Sequence, residues 1–148
     1  MRSAAIGRLV PALGLAFAIG SVSLPAAAAL LIGNSTTNSI VRFDETTGTF
    51  LGDFVAAGTG GLAGPASMVF GPDGNLYVAS GGSSSLNVQD PTYPQDSAVL
   101  RFSATGQFLG TAAAGGGLAR PTGLAFGPDG ALWVSSFRTN QILRYDAT

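Results

Sequence analysis

Asp73 and Asp129 stand at the same place in two copies of Phe-Gly-Pro-Asp-Gly, at Phe70–Gly74 and Phe126–Gly130. Two carboxylates held alike are the raw material of general acid–base work. A second group lies in one segment, where Asn87, Gln89, Asp90 and Asp96 offer oxygen ligands suited to a hard cation such as calcium. Tyr93, in the same segment, is an amphipathic contact residue. A third is the series Arg42, Arg101 and Arg144, each followed by an aromatic residue, which could line an anion site. The sequence contains neither histidine nor cysteine. Ser-His-Asp and Cys-His catalysis, His-rich zinc sites, thiolates and disulfides are therefore outside its repertoire.

Recurrence weighs against the first and third groups. A residue repeated at one turn position is more simply a turn residue, and Asp is favoured there. Pro72, Asp73 and Gly74, like Pro128, Asp129 and Gly130, thus read as structural turns. The repeated arginines read as strand-edge pairing or alkyl-stem packing. The glycine clusters at 58–61 and 115–117 lack the phosphate-binding spacing and lead into strands, where a dinucleotide site needs a helix. No catalytic residue is assigned.

The elements that must position these groups follow from the same repeats. Gly64–Ser80 matches Arg120–Ser136, and Leu30–Asp44 aligns without gaps on Leu132–Asp146. Ile40–Gly52 is echoed by Val99–Gly110. Each unit contains four runs rich in Val, Leu and aromatics, bounded by Gly, Pro, Asp or Ser, which is a strand signature. No segment after the leader has a capped 3.6-residue apolar period. Leu100 and Leu143 lie 43 residues apart, whereas the two Asp-Gly turns lie 56 apart, so 13 extra residues are inserted within Gly81–Ser97. Four short strands every 40 to 50 residues, roughly, is the period of β-propeller blades. Stacked blades bury both faces, which accounts for nearly continuous apolar runs such as Met68–Phe70.

The matching residues are Pro121-Thr-Gly-Leu-Ala-Phe-Gly-Pro-Asp-Gly-Ala-Leu-Trp-Val134, then Asn140-Gln-Ile-Leu-Arg-Tyr-Asp146, then Thr105-Gly-Gln-Phe-Leu-Gly110. In these the chain resembles NHL-type repeats and their relatives among streptogramin lyases and gluconolactonase-like propellers. With its leader it looks like exported bacterial propellers of the PEP-CTERM type, although no sorting segment of that type is present. The resemblance implies that the Pro-x-Gly strand is innermost and the strand after Thr-Gly outermost. Gluconolactonase-like relatives use a Glu, Asn and Asp calcium-type set, and here the sole Glu, Glu45, sits beside a turn on the opposite face. The lyase relatives depend on a histidine, which this sequence lacks.

The expected fold is all-β, a partial β-propeller of about two and a half four-stranded blades behind a signal-peptide helix. Residues 1–29 read as a secretory signal peptide: Arg2 and Arg8 precede the apolar Leu9–Val22, and small residues follow up to Ala29. This implies an extracytoplasmic location by a Sec-type route, with no membrane span after cleavage. Residues 30–148 form the incomplete propeller, with a partial blade at 30–55, a full blade at 64–112 and a partial blade at 120–148. Strands missing at both ends suggest an N-terminal fragment, with the remaining blades expected C-terminally.

Of the seven basic residues two fall in the leader, leaving five arginines against eight acidic residues, so nucleic-acid binding has no electrostatic basis. The expected function is a secreted binding or interaction module for a protein or carbohydrate ligand. Asn87, Asp90, Tyr93 and Asp96 are its candidate contact residues. No resident cofactor or metal is assigned, calcium at the 81–97 loop being the one candidate. The plainer alternative of a solvated loop suits that segment's Gly, Ser and Pro content. A fragment of a metal-dependent propeller hydrolase or a streptogramin-lyase-like enzyme is the alternative for the whole protein, and a gene product without activity the third.

Overall fold

The computed structural model describes residues 29–81 and 97–146, and the chain is all-β across them. The leader expected at 1–29, apart from Ala29, lies outside the described residues, as do Asn87, Asp90, Tyr93 and Asp96. Ten strands follow one another: β1 (Ala29–Asn34), β2 (Ser39–Asp44), β3 (Phe50–Val55), β4 (Pro65–Phe70), β5 (Leu76–Ser80), β6 (Ala98–Phe102), β7 (Phe108–Ala114), β8 (Pro121–Phe126), β9 (Leu132–Ser136) and β10 (Gln141–Tyr145). They form three antiparallel meanders, β1-β2-β3, β4-β5-β6-β7 and β8-β9-β10. No helix among the described residues is long and apolar enough to cross a membrane.

Turn chemistry sets the strand ends. The Gly74 N–H donates to the Gly71 carbonyl at 3.0 Å, and Gly130 repeats this to Gly127 at 2.9 Å. Both closing glycines lie at positive φ, 76° and 78°, which a β-carbon would oppose. The Thr-Gly turn between β6 and β7 uses Gly106 at φ 86°, pressed against the Phe54 carbonyl of the preceding sheet so that no side chain fits. Even the irregularities repeat. The β2–β3 pairing shifts register at Ile40/Val41 and Arg42/Phe43, and the β6–β7 pairing at Val99/Leu100 and Arg101/Phe102. Bulges at these places bend and twist the outer strand.

Two cores lie between the three sheets. Ile40 and Val55 of the first sheet meet Leu76, Val78, Leu100 and Phe102 of the second. Tyr77, Val99 and Ala113 on the other face of that sheet meet Leu132 and Val134 of the third. Strand β5 is buried throughout because its alternate residues serve opposite cores.

Polar contacts register each sheet on its neighbour. The Asn38 side-chain oxygen accepts the Gly64 N–H at 2.8 Å, and the Ser97 hydroxyl accepts the Arg120 N–H at 2.9 Å. Gly64 and Arg120 both sit at φ 56° just before a proline. Arg120 pays for that conformation without being glycine, and its guanidinium stacks 5.2 Å above the Phe137 ring. Inside each sheet the Ser80 and Ser136 hydroxyls accept the N–H groups of Ala63 and Ala119 at 3.0 and 2.8 Å.

Trp133 takes the place of Tyr77, which packs between sheets, yet Trp133 is 42% exposed. It lies on the far face of the third sheet, where none of the described strands covers it.

Because Phe102 is fully buried in the first core, Phe102→Ala is expected to lower unfolding stability by about 3–5 kcal/mol. Phe70→Ala, at a ring 52% exposed, is expected to cost less than about 1 kcal/mol in the same urea titration.

Candidate functional site

The repeated carboxylates are built into turns. One Asp73 oxygen accepts the Asn75 N–H at 3.1 Å. The other accepts the Asn75 side-chain amide at 2.7 Å and the Tyr77 hydroxyl at 3.1 Å, with the Arg101 guanidinium 3.9 Å away. Asp129 accepts the Ala131 N–H at 3.1 Å and a 3.1 Å bond from Arg144, which also reaches Asp146 at 2.7 Å. The expected structural role of these aspartates therefore acquires a partner that the linear reading did not connect. The turn Asp of each of these blades faces the arginine on its own third strand. Spacing held the signal, since Asp73 precedes Arg101 by 28 residues and Asp129 precedes Arg144 by 15, a difference equal to the 13-residue insertion.

Partial burial works to raise the Asp73 pKa, but hydrogen bonds from Asn75 and Tyr77 outweigh it and hold the carboxyl below its ordinary value. The Ala131 N–H, then Arg144, lowers Asp129 in the same direction. Carboxylates held ionised in this way are poor proton donors near neutral pH. Asp44, with no arginine, is lowered chiefly by the Thr47 backbone N–H, which donates to it at 2.7 Å.

The two feet of the insertion, Gly81 and Ser97, lie at the opposite end of the sheets. Strands β4 and β5 run antiparallel, so the Asp73 turn closes one end and the segment after β5 leaves from the other. There Gly81 donates to the Gly64 carbonyl at 3.5 Å, and Ser97 receives the Arg120 N–H. Both feet of the insertion are thus pinned to blade-to-blade loops, on the face that alternation predicts for it. A cavity of about 480 Å³ opens beside them, lined by Gly60, Ala63, Ser80, Ser97, Leu100 and Thr111. The Ser80 hydroxyl is already occupied, receiving from Ala63 N–H and donating to the Ala63 carbonyl at 3.1 Å.

A second cavity of about 480 Å³ lies at the turn end between the first two sheets, with Leu31, Met68, Phe70 and Glu45 among its walls. Leu31 stands there in the place of Tyr77 and Trp133 and leaves the space their rings would take. Glu45 is the one acidic residue of that lining, so the cavity offers apolar contact and no acid–base pair. Among the described residues no group of three or more Asp, Glu, His or Cys is placed to hold a metal ion. The structure therefore places Asp73, Asp129 and Glu45 apart from both feet of the insertion, Gly81 and Ser97.

No protein-family model matches this sequence, and no curated protein matches it. Solved structures do. One described as a gluconolactonase aligns with a TM-score of 0.57 at 21% identity, over 79% of this chain and 41% of its own. A virginiamycin B lyase from Staphylococcus aureus, in a catalytically inactive histidine-to-alanine form with quinupristin, gives 0.54 at 18% identity, over 81% and 38%. The selenomethionine form of that lyase gives 0.50 at 15%, over 84% and 43%. This likeness establishes the fold: the chain is a partial β-propeller. It spans less than half the length of each of these proteins.

A carboxylate whose folded pKa is depressed contributes stability above its unfolded value and loses it as pH falls through the folded one. Asp73→Asn is therefore expected to lower the urea midpoint at pH 7 and to blunt the loss seen in the parent below about pH 3.8. Urea titrations of both proteins from pH 7 down to 2 check this, and equal acid sensitivity would remove Asp73 from the account.

Proposed function

We propose that this chain is part of an extracytoplasmic β-propeller that acts as a binding module, with the insertion at 81–97 as its recognition element. The observation that supports this reading is positional. The one segment that breaks the repeat springs from the end where the blade-to-blade loops gather, beside a cavity with serine and threonine hydroxyls. Scaffold positions repeat because every blade needs them, whereas a ligand needs its contacts once. Asn87, Asp90, Tyr93 and Asp96 are the proposed contacts, a mixture suited to a carbohydrate or a polar protein surface, with calcium as an organising ion. The sequence of residues 1–29 supports export.

The alternative is a piece of a propeller enzyme, gluconolactonase-like or streptogramin-lyase-like, and it draws on the structural likeness. Against it, for the residues of this chain, stands chemistry. The lyase neighbour is inactive as a histidine-to-alanine variant, and this sequence has no histidine. Its turn carboxylates are committed to arginine, tyrosine and backbone partners. Fold alone does not carry an activity across.

Two measurements test the reading. Replacement of residues 82–96 by a short Gly-Ser connection is expected to abolish binding on a carbohydrate and protein array while leaving the β-sheet circular dichroism intact. If calcium organises the loop, a hundredfold excess over its Kd stabilises the fold by about 2.7 kcal/mol. That gain is expected to vanish in Asp90→Asn and Asp96→Asn. Array binding that survives the replacement would move the site elsewhere, and lactone hydrolysis by the intact chain would favour the enzyme.

A further inference from the structure

Two departures from the repeat fall on one spot at the loop end of the third sheet. Arg120 stands where the second blade has Gly64, and Phe137 stands where the other two blades have Ser35 and Gly81. The backbone joins them, the Phe137 N–H donating to the Arg120 carbonyl at 3.1 Å. Arg120 keeps the φ of 56° that Gly64 also has, a left-handed backbone that glycine takes freely and arginine does not. The strained residue sets its guanidinium 5.2 Å from the centre of the Phe137 ring, which is still 60% exposed. An exposed stack of this kind adds little stability, and strained residues other than glycine gather at binding sites.

Charge sorts to opposite ends of the sheets. Among the described residues, Asp44, Glu45, Asp73, Asp129 and Asp146 stand at the turn end and Asp53 lies within β3. The described charges of the loop end are therefore Arg120 and Arg138, both positive, a field that favours an anion. Arg101 and Arg144 each face the turn Asp of their own blade, whereas the Arg120 guanidinium meets no carboxylate among the described residues. The spot also borders both feet of the insertion. The Ser97 hydroxyl accepts the Arg120 N–H at 2.9 Å, and a β-carbon built on Gly81 would lie 3.7 Å from Arg120 Cγ.

We infer that Arg120 and Phe137 form a binding site for an acidic saccharide, a uronate whose carboxylate takes the guanidinium and whose C–H face lies on the ring. A planar guanidinium offers two parallel N–H donors that match a carboxylate. A uronate carries that carboxylate on a rigid ring, which holds an apolar face beside the charge and so presents it to Phe137. An acidic peptide carries its carboxylates on flexible stems and brings no such face. This rests on the binding-module reading proposed above, to which it adds a ligand class and two contacts outside the insertion.

The probe is trigalacturonate, titrated calorimetrically into the intact chain, with its methyl ester and a hexaglutamate peptide as controls. Binding of the acid alone is expected. Arg120→Gly and Phe137→Ser, which restore residues found in the other blades, are each expected to weaken it about tenfold or more. Arg120→Gly is also expected to leave the urea midpoint equal or higher, because it relieves the backbone. A lowered midpoint with unchanged affinity would make the pair a packing device and overturn the inference. So would peptide binding as tight as that of the acid, or no binding of trigalacturonate at all. The chain with residues 82–96 replaced separates the two readings. Affinity kept there but lost in Arg120→Gly sustains this site and removes the insertion; affinity lost there but kept in Arg120→Gly does the reverse.

Discussion

Every sheet in this protein is apolar on both faces, and the rest of the structure follows from the need to cover them. A sheet with one wet face can alternate apolar and polar residues, but Leu76-Tyr-Val-Ala-Ser80 has no residue to spare for water. Leu76 and Val78 need the first sheet while Tyr77 needs the third. The middle blade is therefore stable only as the filling of a stack. The cost of an uncovered face shows at the outer sheets, where Leu30 and Ile32 on one side and Trp133 and Ile142 on the other remain in contact with solvent. At about 25 cal/mol per Å² of apolar surface, each such face is a standing drive towards association.

Burial alone does not fix the register of one sheet on the next, because apolar surfaces slide. Directional contacts between neighbouring sheets do this at the loop end. There Asn38 and Ser97 capture the N–H that precedes an incoming proline, which aligns the next innermost strand before its side chains pack. At the turn end, within single blades, Asp129 holds Arg144 at 3.1 Å and Asp73 lies 3.9 Å from Arg101. The first sheet lacks this aspartate. Arg42 aligns with Arg144, and the position matching Asp129 is Ala27. Its Nε is buried and has no hydrogen-bond partner. A buried polar atom in that state costs about 1–3 kcal/mol.

The fold was legible because repetition turns weak local signals into a strong one. A single Gly-Pro-Asp-Gly marks a turn; two copies, each followed by an apolar run and an Arg-aromatic pair, mark a blade. The all-β character and the succession of strands could be read that way. What could not be read was anything set by three-dimensional neighbours. The Asp–Arg pairing joins residues 28 and 15 positions apart, and the inserted residues disguised their common geometry. Trp133 aligns with Tyr77, which is core, but sequence equivalence carries no information on whether a neighbour is present. The hydrogen bonds of Asn38 and Ser97 were hidden for another reason: Asn and Ser share an acceptor oxygen but no obvious similarity in a pattern.

The same symmetry that reveals the fold conceals the function. Selection for stacking acts on each blade in the same way, so it writes Pro, Asp, Gly and Arg at the same places in each. Recognition of a ligand has no such period and must appear as a departure from it. Three departures stand out: the insertion at 81–97, the replacement of an aromatic by Leu31, and the unbraced Arg42. The last two share one blade, where Leu31 and Arg42 are directly paired across β1 and β2. They are one coupled consequence of losing the turn Asp and its aromatic neighbour, since Tyr77 is both a packing ring and a hydrogen-bond donor to Asp73. Of these three, only the insertion adds polar groups outside the repeat, and that asymmetry is the reason for proposing it as the recognition element.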